Sequence, residues 1–284
     1  CDAAIASAKA DLVAVCDLIP AKMEKIAEKC PGLKMYTDFN DLIADPDIDI
    51  MSICLPSSLH AEYAVRAMEA GKHVLVEKPI DITVEAAQKI EEARLRTGMK
   101  AGVIHQNRFN LDMFPIKAAV ECGHLGRLFL GTFAVKWYRT QEYYEGWHGT
   151  WEVDGGGSLM NQAVHTVDIM QWLMGDVASV TSHIGIYNHV IDTEDMTASL
   201  ITFKSGAAAT FVSTTCAYPG ISTDIQIYGT NGSIEADQDK LKTWKMKEFD
   251  EDFAEKMGID AFDTEEEEAF MLETQHVSKH YGKL

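Results

Sequence analysis

Two side chains in this sequence have the chemistry to act on an alcohol, and Lys78 is the first. It lies in the run Glu77-Lys78-Pro79, directly after the apolar segment 73–76. Proline cannot continue a central sheet ladder, so the chain must turn there, and Lys78 would project over the edge of a sheet. Its ammonium could then hold a hydroxyl oxygen and lower the pKa of that hydroxyl. The alternative is an ordinary solvated lysine.

His165 is the second candidate. It lies four residues after Asn161 on the apolar segment 159–174, which we expect to be one helix. A histidine on an apolar helix is commonly a buried structural residue. The triple glycine 155–157 favours a functional role instead, because glycine lets the backbone approach a ligand closely. With an ordinary pKa of about 6.5, His165 could exchange a proton with an alcohol near neutral pH.

Asp17 ends the apolar run 12–17, where an acid could accept hydrogen bonds from the ribose hydroxyls of a dinucleotide. It would also repel a 2′-phosphate, which favours NAD over NADP. The alternative is a simple loop aspartate. Such an acid normally lies about 20 residues after the phosphate-binding glycines. Counting back that distance from Asp17 passes the first residue of the sequence, so we expect the chain to begin inside the first helix, at 3–9. Because the phosphate-binding glycines would then be missing, we expect this chain to bind NAD weakly or not at all.

Aromatic side chains are concentrated in the stretch from Trp137 to Trp151. It contains three of the five tryptophans and Tyr138, with Arg139 among them. Aromatic rings with polar tips suit carbohydrate, because the C–H faces of a sugar stack on them while its hydroxyls form hydrogen bonds. A dimer-contact loop is the alternative interpretation.

The elements that must position these residues differ between the two parts of the chain. In the first third, apolar runs alternate with amphipathic segments, which predicts βαβ units and a parallel sheet covered on both faces. The predicted strands are 12–17, 49–55, 73–76 and 101–105, and the predicted helices start near Pro20, Leu59 and Thr83. Parallel strands bind ligands at their carboxyl ends. We therefore expect a Rossmann-type α/β domain over 1–106.

After Gln106, several strands follow one another without intervening helices, which predicts an α+β domain over 107–284 with a large, mainly antiparallel open sheet. The predicted strands are 128–137, 177–186, 196–203, 207–215, 223–228 and 233–236.

Composition narrows the classes of function. The 284 residues are enough for about two domains. The formal net charge of −19 argues against nucleic acid or a membrane surface as a partner. Between Glu248 and Glu273 there are 12 acids and one base, and the run Glu265–Glu268 is expected to be a solvated helix face. No apolar run is long enough to span a bilayer.

The cysteines and two absent motifs further limit the location, the catalytic classes and the metal sites that fit this sequence. None of the six cysteines forms a CxxC pair, and Cys16 and Cys54 lie in apolar runs, so we expect buried free thiols and a cytoplasmic protein. The sequence has no Gly-x-Ser-x-Gly nucleophile turn and no His-x-x-x-His zinc helix. We therefore expect no metal site.

These segments together resemble the Gfo/Idh/MocA family, the group of glucose–fructose oxidoreductase and inositol dehydrogenase. The similarity covers nearly the whole chain. It is carried by Ala14-Val-Cys-Asp17, Cys54-Leu-Pro-Ser-Ser-Leu-His60, Ala70-Gly-Lys-His-Val-Leu-Val-Glu-Lys-Pro79, Gln106-Asn-Arg-Phe109, Gly123-His-Leu-Gly126, Asp154-Gly-Gly-Gly-Ser-Leu-Met-Asn-Gln-Ala-Val-His165 and Ile227-Tyr-Gly-Thr-Asn-Gly-Ser233.

The resemblance implies an NAD-dependent enzyme that transfers hydride at a hydroxyl-bearing carbon of a sugar or cyclic polyol. Lys78 and His165 match the catalytic lysine and histidine of the family, and Asn161 falls where many members have an aspartate. Expected cofactor contacts are Asp17, Leu55, Pro56, His60, Glu77, Lys78 and Gln106; expected substrate contacts are Arg108, Tyr138, Trp151, Asn161 and His165.

The resemblance also leaves alternatives. Some relatives use NAD for glycoside cleavage through transient oxidation and elimination, and others keep the fold as a non-catalytic regulator that responds to dinucleotide. The family sheet suggests a homodimer or homotetramer. Members usually continue beyond the acidic stretch into a further helix, so we expect the chain to be incomplete at both ends.

Overall fold

A computed structural model describes residues 1–110, 112–237, 240–247 and 251–257. The side chains in this part form two hydrophobic cores. One contains buried residues between Leu42 and Ala93, and the other contains buried residues between Met113 and Trp244. The expectation of a solvated helix face at Glu265–Glu268 lies outside the described residues. No helix in the described ranges is long and apolar enough to cross a membrane.

The first part of the chain alternates helices and strands, as the sequence predicts. Its elements are α1 (Asp2–Ala6), β1 (Ala14–Cys16), α2 (Pro20–Ala27), β2 (Lys34–Tyr36), α3 (Phe39–Ala44), β3 (Ile50–Ile53), α4 (His60–Glu69), β4 (His73–Val76), α5 (Val84–Thr97) and β5 (Ala101–Val103). Every strand pair is parallel. The short elements β2 and α3 were not predicted.

The parallel strands form two sheets rather than the one expected. β1 pairs with β2, and β3, β4 and β5 form the second sheet; across residues 1–110 no hydrogen-bonded ladder joins them. α4 and α5 cover one face of the second sheet, where Met51 and Val74 are buried. On the other face Ile50 is 58% exposed and Leu75 is 44% exposed. The expectation of a sheet covered on both faces is therefore wrong for the described residues, since no described element packs over that face.

Local signals set the boundaries of α5. The Thr83 hydroxyl accepts a hydrogen bond from the Ala86 amide at 3.1 Å, as an N-cap does. Gly98 ends the helix in the left-handed region, with φ of 72°. Pro20 occupies the first position of α2, where its missing N–H costs nothing.

The second part is built on one large sheet. Its elements are α6 (Met113–Glu121), β6 (Leu128–Lys136), α7 (Ser158–Asn161), α8 (Val164–Met174), β7 (Val177–Gly185), β8 (Met196–Phe203), β9 (Ala208–Thr214), β10 (Ser222–Gly229), β11 (Gly232–Asp237), β12 (Lys240–Met246) and α9 (Glu251–Met257). The strand order is β12-β11-β10-β6-β9-β8-β7, and β6–β9 is its one parallel pair. The prediction of a mainly antiparallel sheet is confirmed. One face packs on α6 and α8 through Phe133, Phe211 and Ile169.

The cysteines are free, but the expectation of burial is wrong for Cys16 and Cys54, which are both exposed. Cys54 follows the buried Ile53, and its thiol lies 3.5 Å from the Ser52 hydroxyl. Successive side chains of a strand point to opposite faces, so the apolar run places Cys54 beside Ser52 on the uncovered face of the sheet.

Candidate functional site

The junction of the two parts brings Lys78 and Asn161 together. Lys78 follows β4, at the carboxyl edge of the parallel sheet, and its ammonium donates a hydrogen bond to the Asn161 backbone carbonyl at 3.0 Å. Burial lowers the pKa of Lys78, while the negative charges of Glu77 and Asp154 act to raise it. A partly desolvated cation therefore sits where the sequence placed it, between the two cores.

The Asn161 carbonyl is available because the predicted helix over 159–174 is broken. α7 ends at Asn161, and α8 starts at Val164. At the break the Ala163 amide bonds to the Ser158 carbonyl at 2.9 Å instead of continuing the regular pattern. Asn161 and His165 are thus on two successive helices rather than on one face of one helix. The break leaves the Asn161 carbonyl to accept the Lys78 ammonium.

His165 lies at the start of α8, half-buried in the same junction. Its Nε2 is 3.3 Å from the side-chain nitrogen of Gln106, and its buried Nδ1 has no hydrogen-bond partner among the described residues. Burial, followed by the positive charge of Lys78, lowers the pKa of His165 to about 4; the Asp168 carboxylate opposes this shift. His165 is therefore neutral at pH 7 and can accept a proton.

Three further residues complete this side of the junction. Arg108 forms a bidentate pair with Asp168, with both N–O distances at 2.6 Å. The Nδ1 atom of His105 is 3.7 Å from Asp168, and the His105 ring meets the His165 ring edge-to-face with centroids 6.3 Å apart. Burial lowers the pKa of His105. The Arg108 guanidinium is thus oriented by Asp168 and remains partly exposed, and its contact with substrate stays a prediction.

His105 was missed as a site residue, although its position carries a signal. It follows β5, and residues at the carboxyl ends of parallel strands are where ligands bind. Asp168 lies three residues after His165 on α8, the spacing that places two side chains on one helix face.

The glycine turn 155–157 packs closely against other segments of the protein. A Cβ on Gly155 would collide with Ile82, and one on Gly157 would collide with the Glu194 carbonyl oxygen. The Glu194 carboxylate accepts hydrogen bonds from the Gly157 and Leu159 amides, both at 2.9 Å. The turn therefore lets a buried acid bind the amides at the start of α7, and the close approach of a ligand to this turn stays a prediction.

The predicted cofactor residues lie at the ends of the parallel strands. Asp17 follows β1, Leu55 and Pro56 follow β3, and Glu77 follows β4. The Asp17 carboxylate accepts a hydrogen bond from the Ile19 amide at 2.8 Å, and its second oxygen has a 3.4 Å contact with the exposed Lys22. That oxygen keeps the capacity to accept bonds from ribose hydroxyls. The Asp17 carboxylate therefore fits the ribose part of a dinucleotide at this edge.

His60 cannot contact a ligand directly, because it is 1% exposed. Its Nδ1 is 2.7 Å from the Pro79 carbonyl oxygen, and its Nε2 is 2.8 Å from the Leu55 carbonyl oxygen. The ring thus joins the segments that follow β3 and β4. The expected cofactor contact becomes a positioning role for Leu55 and the Lys78 turn.

The aromatic stretch is only partly directed to this junction. Tyr143 stacks on His148 at 4.7 Å, and its hydroxyl accepts a hydrogen bond from Gln162 at 3.0 Å. Tyr138 packs edge-to-face on Tyr218, and the Trp151 indole donates to the Asp192 carbonyl. Within the described ranges no hydrogen bond or ring contact joins Tyr138 or Trp151 to Lys78 or His165.

Comparisons with known proteins agree with this architecture. Residues 2–105 match the model of the oxidoreductase family with an NAD-binding Rossmann fold, and residues 115–235 match the GFO/IDH/MocA C-terminal domain. The WlbA dehydrogenase of Bordetella pertussis, solved in complex with NADH and UDP-GlcNAcA, is 32% identical with a TM-score of 0.83, over 88% of this chain and 73% of that one.

Curated relatives are more distant. The levoglucosan dehydrogenase of Pseudarthrobacter phenanthrenivorans is 28% identical over 70% of this chain and 57% of its own length. The scyllo-inositol 2-dehydrogenase (NAD(+)) of Bacillus subtilis is 26% identical over 95% of this chain and 78% of its own length. A dehydrogenase of Comamonas testosteroni is matched over 51% of its length, so the chain spans about half the length of some of these relatives. Both family models and the structural similarity show that the chain belongs to the Gfo/Idh/MocA oxidoreductase family.

Proposed function

We propose that this protein transfers hydride between NAD and a hydroxyl-bearing carbon of a sugar, sugar derivative or cyclic polyol. The observation that carries the proposal is the pairing of a cation with a neutral base across the junction. Lys78 is held by the Asn161 carbonyl, and His165 has a pKa lowered to about 4.

The proposed catalytic residues have different roles in the oxidation of the alcohol. In the oxidation direction, the neutral imidazole of His165 takes the hydroxyl proton while the C–H bond of the same carbon breaks with its electron pair. The Lys78 ammonium stabilises the negative charge that develops on the oxygen. Asn161 is proposed to orient the hydroxyl through its side-chain oxygen. The product is a carbonyl group, and the imidazolium releases the proton to solvent.

The match to the family with an NAD-binding Rossmann fold and the relatives solved with NADH support NAD as the cofactor. When bound, NAD accepts the hydride. The Asp17 carboxylate would accept hydrogen bonds from the ribose hydroxyls. Leu55, Pro56 and Glu77 would line the carboxyl edge of the sheet beside the cofactor, and Lys78 and Gln106 would lie near the nicotinamide. The carboxylate of Asp17 favours NAD over NADP, because it would repel a 2′-phosphate.

Carbohydrate is the proposed substrate class. The relatives named above act on levoglucosan or scyllo-inositol, or bind UDP-GlcNAcA. Tyr138, Trp151 and Arg108 are proposed as outer contacts for a larger substrate. The net charge of −19 favours a small molecule over nucleic acid or a membrane surface.

A homodimer or homotetramer is the proposed assembly, with a second copy of the chain on the open face of the large sheet. Leu200 on β8 is 54% exposed and Leu130 on β6 is 38% exposed, whereas the neighbouring Ile201 is buried in the core on the opposite face. A cytoplasmic location is proposed because all six cysteines are free thiols. Light scattering of the purified protein checks the assembly.

The function is tested by mixing the full-length protein with NAD and a panel that contains UDP-GlcNAcA, levoglucosan and scyllo-inositol. We expect NADH to form with at least one of them, in equal amount to a carbonyl product. Cleavage of a glycoside without net NADH would favour the elimination chemistry. NAD binding with no turnover on any member would favour a regulator.

A further inference from the structure

A buried carboxylate lies directly behind the proposed substrate contact Asn161. Asp154 precedes the glycine turn and is 3% exposed. One of its oxygens accepts a hydrogen bond from the Asn161 side-chain nitrogen at 3.1 Å, and the other accepts from the Gly149 amide at 2.7 Å.

This contact fixes the orientation of the Asn161 amide. An ionised carboxylate only accepts hydrogen bonds, so Asn161 must turn its NH₂ group toward Asp154. Its carbonyl oxygen is then the end left to accept a hydrogen bond from a ligand. The backbone carbonyl of the same residue holds Lys78 at 3.0 Å. Asn161 therefore links the carboxylate to both the proposed hydroxyl contact and the catalytic cation.

His148 lies beside both Asp154 and Asn161. Its Nδ1 lies 3.2 Å from the Asp154 carboxylate and also 3.2 Å from the side-chain nitrogen of Asn161. A carboxylate in either position could accept its N–H. Tyr143 stacks on the other side of the ring and holds it in place.

We propose that Asp154 is a positioning residue of the site: it orients the Asn161 amide toward the substrate hydroxyl and places a buried negative charge near the Lys78 ammonium. This rests on the proposed dehydrogenase function. Among the described residues, the titratable groups whose charge would interact with that of Lys78 are Glu77, Asp154, His105 and His165. Glu77 and Asp154 are the two that favour its charged form.

The geometry predicts that the acid and the amide can be exchanged. In Asp154→Asn the amide at 161 loses its fixed orientation, and in Asn161→Asp two carboxylates face each other at about 3 Å, where like charges disfavour ionisation of both. In the double variant Asp154→Asn/Asn161→Asp, the new amide can still accept from Gly149 and donate to the acid at 161. His148 can donate to that acid from its present position.

Turnover of the best substrate in the panel is the first measurement. We expect each single variant to lose about 10- to 100-fold in kcat, the effect of a hydrogen bond to a charged group. The double variant is expected to recover to within a few-fold of the starting protein. Glu152→Gln is the matched control, since Glu152 is exposed in the same loop and its loss should leave kcat unchanged.

The second measurement needs no turnover, so it separates this proposal from the proposed function. Lysine side chains are labelled by reductive ¹³C-methylation and titrated by NMR, with Lys78→Met used for assignment. In Asp154→Asn we expect the pKa of Lys78 to fall, because a negative charge that favours the ammonium is lost. The basic limb of the kcat profile should move to lower pH in parallel.

Three results would overturn the proposal. They are an unchanged Lys78 titration in Asp154→Asn, wild-type kcat in that variant, or a double variant no better than either single one. If Asp154→Asn does not fold, the double variant decides: recovery of fold and of the Lys78 titration supports the exchange, and failure to fold contradicts it. If no sugar in the panel is oxidised, the titration still tests the charge of Asp154.

Discussion

The lowered pKa of His165 is open to direct test by removing the charge next to it. Burial is the larger cause of the shift, and the positive charge of Lys78 is the second. Lys78→Met keeps most of the buried volume and removes that charge. We therefore expect the pKa of His165 to rise from about 4 in Lys78→Met, while staying below its ordinary value because the ring remains buried.

The size of the effect on protonation follows from these values. With a pKa of about 4, roughly 97% of His165 is neutral at pH 5.5, whereas at an ordinary pKa of about 6.5 roughly 9% would be neutral. At pH 5.5 the neutral form of His165 would thus be about tenfold more populated than that of an unperturbed histidine. The acid limb of kcat/KM should accordingly lie near pH 4 and not near 6.5.

Imidazole proton signals titrated by NMR measure this without any substrate, and His165→Gln identifies the signal of His165. The kcat/KM profile of the active protein gives the second measurement. A His165 signal that titrates near 6.5 in the unaltered protein would refute the reasoning. So would a titration that does not move in Lys78→Met, since the two groups would then not interact.

Two further predictions concern the scaffold of the site. Gly157→Ala places a methyl group against the Glu194 carbonyl oxygen, so urea unfolding should show a loss of about 3 kcal/mol. Gly206 has a positive φ of 87°, which Gly157 lacks, but open space around it, so Gly206→Ala should lose only about 1 kcal/mol, from backbone conformation alone. Equal losses would contradict the role of the close approach. Thr83→Ala removes the N-cap of α5 and should cost about 1 kcal/mol, with faster hydrogen exchange at Ala86; unchanged exchange there would count against the cap.

Local signals explain which parts of the fold could be predicted from the sequence. Thr83 and Gly98 mark both ends of α5, and the alternation of apolar runs with helical segments predicts the parallel strands. β2 and α3 were missed because each is short, and β2 has no buried residue while α3 has only Leu42. The exposure of Cys54 could not be predicted, because a short apolar run does not show which face of its sheet stays uncovered.

Some features of the candidate site could likewise be predicted from local signals, and others could not. Lys78 and His165 carry their own signals, a turn after a strand and a histidine beside glycines. The helix break after Asn161 could not be predicted, since the segment contains neither glycine nor proline and the break shows only in its backbone hydrogen bonds, where the Ala163 amide bonds to the Ser158 carbonyl. The contact between Asp154 and Asn161 depends on loop geometry that no spacing rule describes.

The central claim is that Lys78 and His165 act together on a hydroxyl group, and turnover of matched variants tests it most directly. The substrate identified from the panel is oxidised by the full-length protein, by Lys78→Met and by His165→Gln, with NADH formation followed at pH 7. We predict that each variant still binds NAD and loses about 100-fold or more in kcat, the scale of general acid–base catalysis. Wild-type turnover in either variant would contradict the account.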